Sequence, residues 1–298
     1  VNGMALSSTS GQETASPLAT NVMCGVYLEW PVAASALSQP TVAVSGLPSG
    51  LKFTAKDVKA TKTSAAVPAN TIYGTPKTAS KTDKYGNLTP SKVKITVTTA
   101  GKAKEEYIIN VTVRGIPAEG IFNGGSAEGL VTLTVAKTGK LSGKYLADGK
   151  TWTLSAAGFD TWDDNDRMTA TLTAKSGREM KTVALVYEDG YFSSPLFEAW
   201  RNEWKEEPLK TLAKALKGQK VQIGEVLLTV GANGSVTAKG AFVGLDGKPY
   251  SASCSTVLIP AEKAGSYVVY LYFPPKAGKF AGWSGEVGLR WDGTALVS

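Results

Sequence analysis

Histidine is absent from the 298 residues of this chain. Its absence excludes Ser-His-Asp and Cys-His nucleophiles, His-ligated zinc and imidazole general bases together. Catalysis could then rest only on carboxylate, lysine or tyrosine chemistry, and no glycine-rich phosphate loop or dinucleotide fingerprint is present. We therefore expect that the chain is not an enzyme.

One enzymatic alternative survives this exclusion. A glycoside hydrolase needs only two carboxylates held about 5–9.5 Å apart. The sequence offers five candidate glutamates, Glu179, Glu188, Glu198, Glu203 and Glu225. No segment carries a recognised acid or nucleophile signature, so the sequence places no two of them across a cleft.

Cysteine is scarce, with Cys24 and Cys254 falling in different predicted domains. Two such residues do not make a disulfide framework. We expect two buried thiols, with an interdomain disulfide as the alternative.

Long apolar runs and a leader segment are also missing. No stretch approaches the roughly 20 apolar residues that span a bilayer, so we expect no membrane insertion. No charged-then-apolar leader opens the sequence, and Val1 is expected to be a processed or cloned start.

The net charge of +7 comes mainly from isolated lysines, as in the segment Lys92–Ile95. Outward lysines of this kind keep a sheet soluble and block edge-to-edge pairing. Nucleic-acid binding needs basic clusters with aromatic platforms, and the sequence has none, so we predict no nucleic-acid partner.

What the chain does contain is a series of short strands. Residues 1–20 are rich in Ser and Thr and are predicted to be a lead-in or linker. Alternation at Val93–Val97 and at Tyr107–Val113 predicts two strands with one buried face. The Ala100–Lys102 turn between them predicts a hairpin, because it supplies a glycine.

A family resemblance begins upstream of these strands. Gly46–Phe53 reads GLPSGLKF, and Ile72–Pro76 reads IYGTP before KVKITVT and YIINVTV. This combination resembles the bacterial immunoglobulin-like domain of the GLPxGL…GTP type. The resemblance covers about a third of the chain and implies an immunoglobulin-like β-sandwich over residues 21–115.

An internal repeat follows the boundary at Arg114–Pro117. Each copy reads strand, glycine turn, strand, Asp-Gly turn, strand. The matched segments are Val131–Val135 with Val226–Val230, Gly139–Lys144 with Gly234–Lys239, and Asp148–Trp152 with Asp246–Tyr250. We predict a domain over 116–298 with copies at about 120–192 and 219–298. A duplicated antiparallel β-barrel is favoured because closure removes exposed edges, and a second sandwich is the alternative.

The first copy carries a second resemblance. The segment from Gly120 to Phe159, which includes GIFNGG, TLTVAKTGKLSGK and DGKTWTL, resembles a repeat of large secreted proteins from Verrucomicrobia-type bacteria. The resemblance implies an exported, multi-domain parent protein and no known activity.

A short helical insertion is predicted between the copies, over residues 194–218. Ser194 can cap a first helix and Pro195 suits its first turn. Leu196, Ala199, Trp200 and Trp204 then share one helical stripe, and a second helix is predicted from Pro208 to Gly218.

Two sets of residues are candidate sites. Asp160, Asp163, Asp164 and Asp166 offer oxygen ligands of the kind that Ca²⁺ prefers, although a solvated Asx turn is the favoured interpretation. Trp200, Trp204, Trp162 and Trp283 are candidate stacking platforms for a sugar ligand. For Trp200 and Trp204 we favour burial as a plug against the barrel mouth, because large rings are costly to leave in water.

The sequence therefore predicts a non-catalytic, extracellular or cell-surface module of a bacterial protein. We expect it to act as a spacer and as an adhesion or ligand-binding element. The expected partner is a glycan or another surface protein, beside further domains of a larger parent chain. No cofactor is expected, with Ca²⁺ as the alternative.

Overall fold

The computed structural model describes residues 4–5, 18–33, 40–61, 64–99, 101–163 and 165–298. The chain divides into two compact units. The first comprises Val1–Pro117 with Lys137–Lys140 and Ala157–Trp162, and the second comprises Ala118–Ala136, Leu141–Ala156 and Asp163–Ser298. The predicted all-β class is confirmed, since strands make up most of the described residues.

Eight strands are described between Met4 and Arg114. They are β1 (Met4–Ala5), β2 (Leu18–Met23), β3 (Leu28–Ala33), β4 (Thr41–Ser45), β5 (Leu51–Thr54), β6 (Thr71–Gly74), β7 (Ser91–Thr98) and β8 (Lys104–Arg114). They form two four-stranded sheets in the orders β1-β3-β6-β5 and β2-β8-β7-β4.

Buried side chains of the first unit come from both of these sheets. β7 and β8 are the predicted pair, antiparallel with Ile95 opposite Tyr107, and Val93, Ile95 and Val111 are almost fully buried. The described strands of the first unit thus form two separate sheets. Kinship with the immunoglobulin-like family stays a prediction.

The second unit begins with a closed antiparallel barrel. Its strands are β9 (Gly120–Ser126), β10 (Gly129–Val135), β11 (Leu141–Ala147), β12 (Lys150–Ala156), β14 (Met168–Ser176), β15 (Glu179–Glu188), β16 (Tyr191–Ser193) and β17 (Glu198–Arg201), with the two-residue β13 (Thr161–Trp162) before β14. Pairing of β12 with β14 and of β17 with β9 closes the ring. The predicted antiparallel barrel is thus confirmed, and its ring consists of the first copy together with β17, which lies in the segment predicted to be a helical connection, without strands from the second copy.

Side chains fill the interior of this barrel. Eight strands leave an interior just wide enough for side chains to occupy. Phe122 and Phe192 meet edge to face with ring centroids 4.6 Å apart, and Leu133, Leu172 and Ala174 are fully buried around the interior.

The second copy forms two four-stranded sheets. One sheet contains β18 (Lys220–Ile223), β19 (Val226–Val230), β20 (Ser235–Val243) and β21 (Pro249–Val257). The other contains β22 (Ile259–Pro260), β23 (Ser266–Phe273), β24 (Trp283–Trp291) and β25 (Leu296–Val297). The meander β18 to β21 corresponds to β9 to β12, as the sequence repeat predicts.

One α-helix is described, α1 (Leu209–Leu216), and a short 3-10 turn covers Ala232–Gly234. Helix α1 confirms the prediction of a helix after Pro208 between the barrel and the later sheets. Its buried residues Ala213 and Leu216 belong to the core of the second copy. Among the described residues no helix has the length and apolar character needed to cross a bilayer.

The prediction of a helix from Ser194 through Trp204 is wrong. The Ser194 hydroxyl does accept hydrogen bonds from the Leu196 and Phe197 N–H groups, as a helix cap would. The chain then continues as β17, which pairs with both β16 and β9. Barrel closure thus supplies backbone partners on two sides, and this tertiary pairing overrides the local helical pattern.

A separate apolar cluster joins the barrel to the second copy. Leu130 of β10 packs with Ile259, Tyr270 and Tyr272, and Trp200 of β17 lies against the same group. The Gly149 N–H donates a hydrogen bond to the Tyr272 hydroxyl at 2.5 Å. We call this cluster the joint between the copies.

Cys24 and Cys254 form no disulfide with each other, and both side chains are thiols. Cys24 is buried and its thiol donates to the Pro76 carbonyl oxygen at 3.4 Å. Cys254 on β21 is half-buried, and this burial raises the pKa of its thiol.

Candidate functional site

An open cleft of about 470 Å³ lies on the outer face of the β18–β21 sheet. Alternation along β20 creates this face, because Ala238 and Phe242 point into the core while Lys239 and Ala241 are exposed. The volume is within the range of small-ligand sites. We call it the β20 cleft.

The β20 cleft is lined by one complete row of cross-strand neighbours. Gln222 of β18 faces Leu227 of β19, Leu227 faces Lys239 of β20, and Lys239 faces Ser253 of β21. Direct cross-strand neighbours have Cβ atoms about 4.5–5.5 Å apart. The four side chains therefore form a continuous strip across the sheet.

The depth of the cleft comes from a difference in side-chain size. Ala241 and Ser251 are paired neighbours in the next row and provide only short side chains. Glu225 lies beside them, and its carbonyl oxygen accepts the Ala241 N–H at 3.1 Å. Longer side chains around a floor of alanine and serine leave an open depression.

The polar groups of the cleft combine donors and acceptors. The Gln222 side-chain N–H₂ donates to the Gly224 carbonyl oxygen at 2.7 Å, which fixes the amide. Within the described part of the chain, neither Glu225 nor Lys239 forms an ion pair with another residue. One carboxylate and one ammonium leave the lining close to electrically neutral.

Among the predicted tryptophan sites, the structure separates Trp200 from Trp204. Trp204 is buried in the second-copy core, where its indole N–H donates to the Leu258 carbonyl oxygen at 2.6 Å. Trp200 is half-buried in the joint, with ring centroids about 6 Å from Tyr191 and Tyr270 in near-parallel stacks. The prediction that Trp200 and Trp204 share one helical face is wrong, because the segment containing Trp200 is a strand. Both rings are packed, as favoured, but neither plugs the barrel from a helix.

The two remaining tryptophans differ in exposure. Trp162 is half-buried, and the Arg114 guanidinium lies 5.4 Å from its ring centroid. Trp283 is 39% exposed at the start of β24 and is the one predicted platform that stays open to solvent in the described structure. It does not line the β20 cleft.

The acidic loop has the geometry of a turn. The Asp163 carboxylate accepts the N–H groups of Asn165 and Arg167 at 3.0 and 3.1 Å, as in an Asx turn. Asp166 has a positive φ of 60°, while Asp160 has interactions of its own and Asp164 lies outside the described residues. In the part of the chain that is described, no three acidic, Cys or His side chains are grouped to hold a metal ion.

The β20 cleft was not predicted from the sequence, although Glu225 was among the candidate carboxylates. The cleft depends on which short and long side chains become neighbours across four strands. Small residues at alternate positions of β20 and β21 are a signal, but it has meaning only once the register is known.

Comparison with known proteins identified no protein similar to this chain. No family model, no curated protein and no solved structure matches this chain.

Proposed function

We propose that this chain is a non-catalytic binding and spacer module whose β20 cleft takes a short, uncharged polyhydroxyl ligand of the oligosaccharide type. The immunoglobulin-like unit would act as the spacer. An extracellular or cell-surface location is part of the same proposal, and the two family resemblances in the sequence support it.

The composition of the cleft lining carries this proposal. Sugar hydroxyls both donate and accept hydrogen bonds, and Ser251, Ser253 and Gln222 can do the same. Glu225 adds an acceptor and Lys239 adds a donor, while Leu227 offers apolar surface to sugar C–H groups. The balanced charge favours a neutral ligand over a polyanion.

The single carboxylate favours binding over hydrolysis at this place. Both retaining and inverting glycosidases of the common type need a pair of carboxyl groups. Among the described residues that line the cleft, Glu225 alone supplies one. Of the other candidate glutamates, Glu179 pairs with Lys150 at 2.6 Å and Glu188 with Arg167 at 3.4 Å.

The proposal predicts that filling the cleft abolishes binding. A glycan array probed with the purified full chain should identify a binder, and titration should give its Kd. Ala241→Trp should then weaken binding by about tenfold or more, equivalent to about 1.4 kcal/mol, because the indole occupies the ligand volume. Ala241 is exposed, and aromatic residues suit strands, so the variant should fold.

Thr237→Trp is the matched control, since Thr237 is exposed on the same strand and face but does not line the cleft. It should bind as the wild type does. An array without any binder, or equal affinity of Ala241→Trp and wild type, would refute the proposal. Glycoside turnover abolished by Glu225→Gln would favour the hydrolase instead.

A further inference from the structure

Two loops of the second copy meet at one end of its sheets. The loop between β20 and β21 contains Leu245, whose N–H donates to the carbonyl oxygen of Lys279 in the β23–β24 loop at 2.8 Å. Three large apolar side chains are exposed here: Val243 is 72% exposed, Leu245 63% and Trp283 39%. We call Val243, Leu245 and Trp283 the apolar tip.

The apolar tip stands on a packed aromatic base. The Trp283 ring centroid lies 5.8 Å from Phe273 and 6.2 Å from Phe242. Phe280 stacks on Phe242 at 4.9 Å and on Tyr250 at 4.8 Å. These aromatic contacts hold the two loops together and fix the position of Trp283.

Positive charge predominates on the two loops next to the apolar tip. Lys248, Lys276 and Lys279 lie on the same two loops, against the single acidic residue Asp246. Asp246 is 3.9 Å from Lys248, a separation at the limit of an ion pair between exposed groups. Within the described part of the chain, Lys276 and Lys279 form no ion pair.

This combination distinguishes between two kinds of partner. Lysine is depleted at protein–protein interfaces, where tryptophan and arginine are the enriched anchors. Lysines beside protruding aliphatic side chains and a tryptophan instead match an anionic bilayer surface, whose headgroup region attracts lysine and accommodates indole rings.

We propose that the apolar tip docks on an anionic phospholipid surface. Leu245 and Val243 enter the boundary between headgroups and acyl chains, and Trp283 lies at headgroup level. Lys276 and Lys279 contact lipid phosphates. This contact is peripheral, and it involves none of the residues that line the β20 cleft, so either proposal can fail without the other.

Flotation of the full chain with lipid vesicles tests this inference. The chain should float with vesicles of phosphatidylcholine mixed with phosphatidylglycerol but not with vesicles of phosphatidylcholine alone. Added salt should reduce the bound fraction, because it screens exposed charges. Leu245→Asp should abolish flotation, since it places a carboxylate where an apolar side chain inserts.

Met180→Asp is the matched control, because Met180 is 71% exposed on β15 of the barrel, outside the tip. This variant should float as the wild type does. A second variant, Lys276→Glu with Lys279→Glu, should lose the preference for anionic vesicles while its melting temperature stays unchanged. Absence of flotation with anionic vesicles, or equal flotation of wild type and Leu245→Asp, would overturn the inference.

Discussion

Tyr270 shows how one side chain in the joint makes stability depend on pH. Burial, followed by the negative charges of Glu286 and Glu198, raises its pKa to about 12 from the usual 10.0. The unfolded chain loses this proton near pH 10, whereas the folded chain keeps it to about pH 12. The stability that Tyr270 contributes is thus fully present below pH 10 and is lost as the pH rises through 12.

Tyr270→Phe should therefore flatten the fall in melting temperature between pH 10 and pH 12. The phenyl ring keeps the stack on Trp200 but has no proton to lose. Thermal unfolding followed by circular dichroism measures the slope, and Tyr85→Phe, at a 76% exposed position, is the control. An identical slope for wild type and Tyr270→Phe would contradict this account.

Residue-scale prediction from the sequence was weakest for the tryptophans. Trp204 has charged and polar neighbours in the sequence, whereas Trp283 lies between small residues, yet Trp204 is 1% exposed and Trp283 is 39% exposed. Gly234 explains part of this difference, because a Cβ there would collide with the Trp204 indole ring. The contact joins residues 30 positions apart, which no local pattern contains.

At the scale of elements, β9 and β17 depend on a glycine for their close approach. Gly124 pairs with Ala199, and a Cβ at Gly124 would meet the Glu198 carbonyl oxygen and lie 2.7 Å from the Ala199 Cα. Both obstacles are backbone atoms of the strand that closes the barrel. They cannot move without disturbing its hydrogen bonds.

Gly124→Ala should consequently destabilise the barrel by about 1–3 kcal/mol, the usual cost of overpacking. Urea unfolding measures the change in free energy. Gly288→Ala on β24 is the control, because a Cβ there meets nothing within 4 Å, and it should leave the midpoint nearly unchanged. Equal midpoints for the two variants would show that closure does not require the glycine.

The element predictions succeeded where burial alternates along a strand. β7 and β20 alternate over their whole length, while β8 alternates from Tyr107 and β10 from Val131 onward. In these stretches the sequence pattern already specifies which face is inside. β17 has only four residues and follows a serine and a proline that favour a helix start. Its conformation is decided by pairing with β16 and β9, and β9 is distant from it in the sequence.

At the scale of the whole second unit, the joint connects two copies that have separate cores. Trp200 stacks between Tyr191 of the barrel and Tyr270 of the second copy. Stacked aromatic pairs contribute about 0.5–1.5 kcal/mol beyond their buried area. The Ser284 hydroxyl adds a hydrogen bond to the Ala127 carbonyl oxygen at 2.6 Å across the same pair of copies.

Trp200→Ala should therefore uncouple the copies before it unfolds either of them. Hydrogen exchange should accelerate over β22–β24 at conditions where barrel strands β10–β12 stay protected. Trp283→Ala is the control, because it removes a tryptophan that is not part of the joint, and it should exchange as the wild type does over Ile259 and Tyr270. Uniform acceleration over both copies in Trp200→Ala would mean that the unit has one undivided core.

The sequence by itself determined the all-β class, the duplicated meander and the helix after Pro208, because each of these depends on periodicity and turn residues that are local in the chain. Only the tertiary structure decided how the first copy closes, where Trp204 is buried and which side chains surround the β20 cleft. Barrel closure comes from the pairing of β9 with β17, which are distant in sequence, and Trp204 is buried by side chains that follow it in the chain. The cleft comes from the register of the neighbouring strands β18 to β21. A shift of register by one residue would turn every side chain of a strand to the opposite face, so composition alone cannot specify the site.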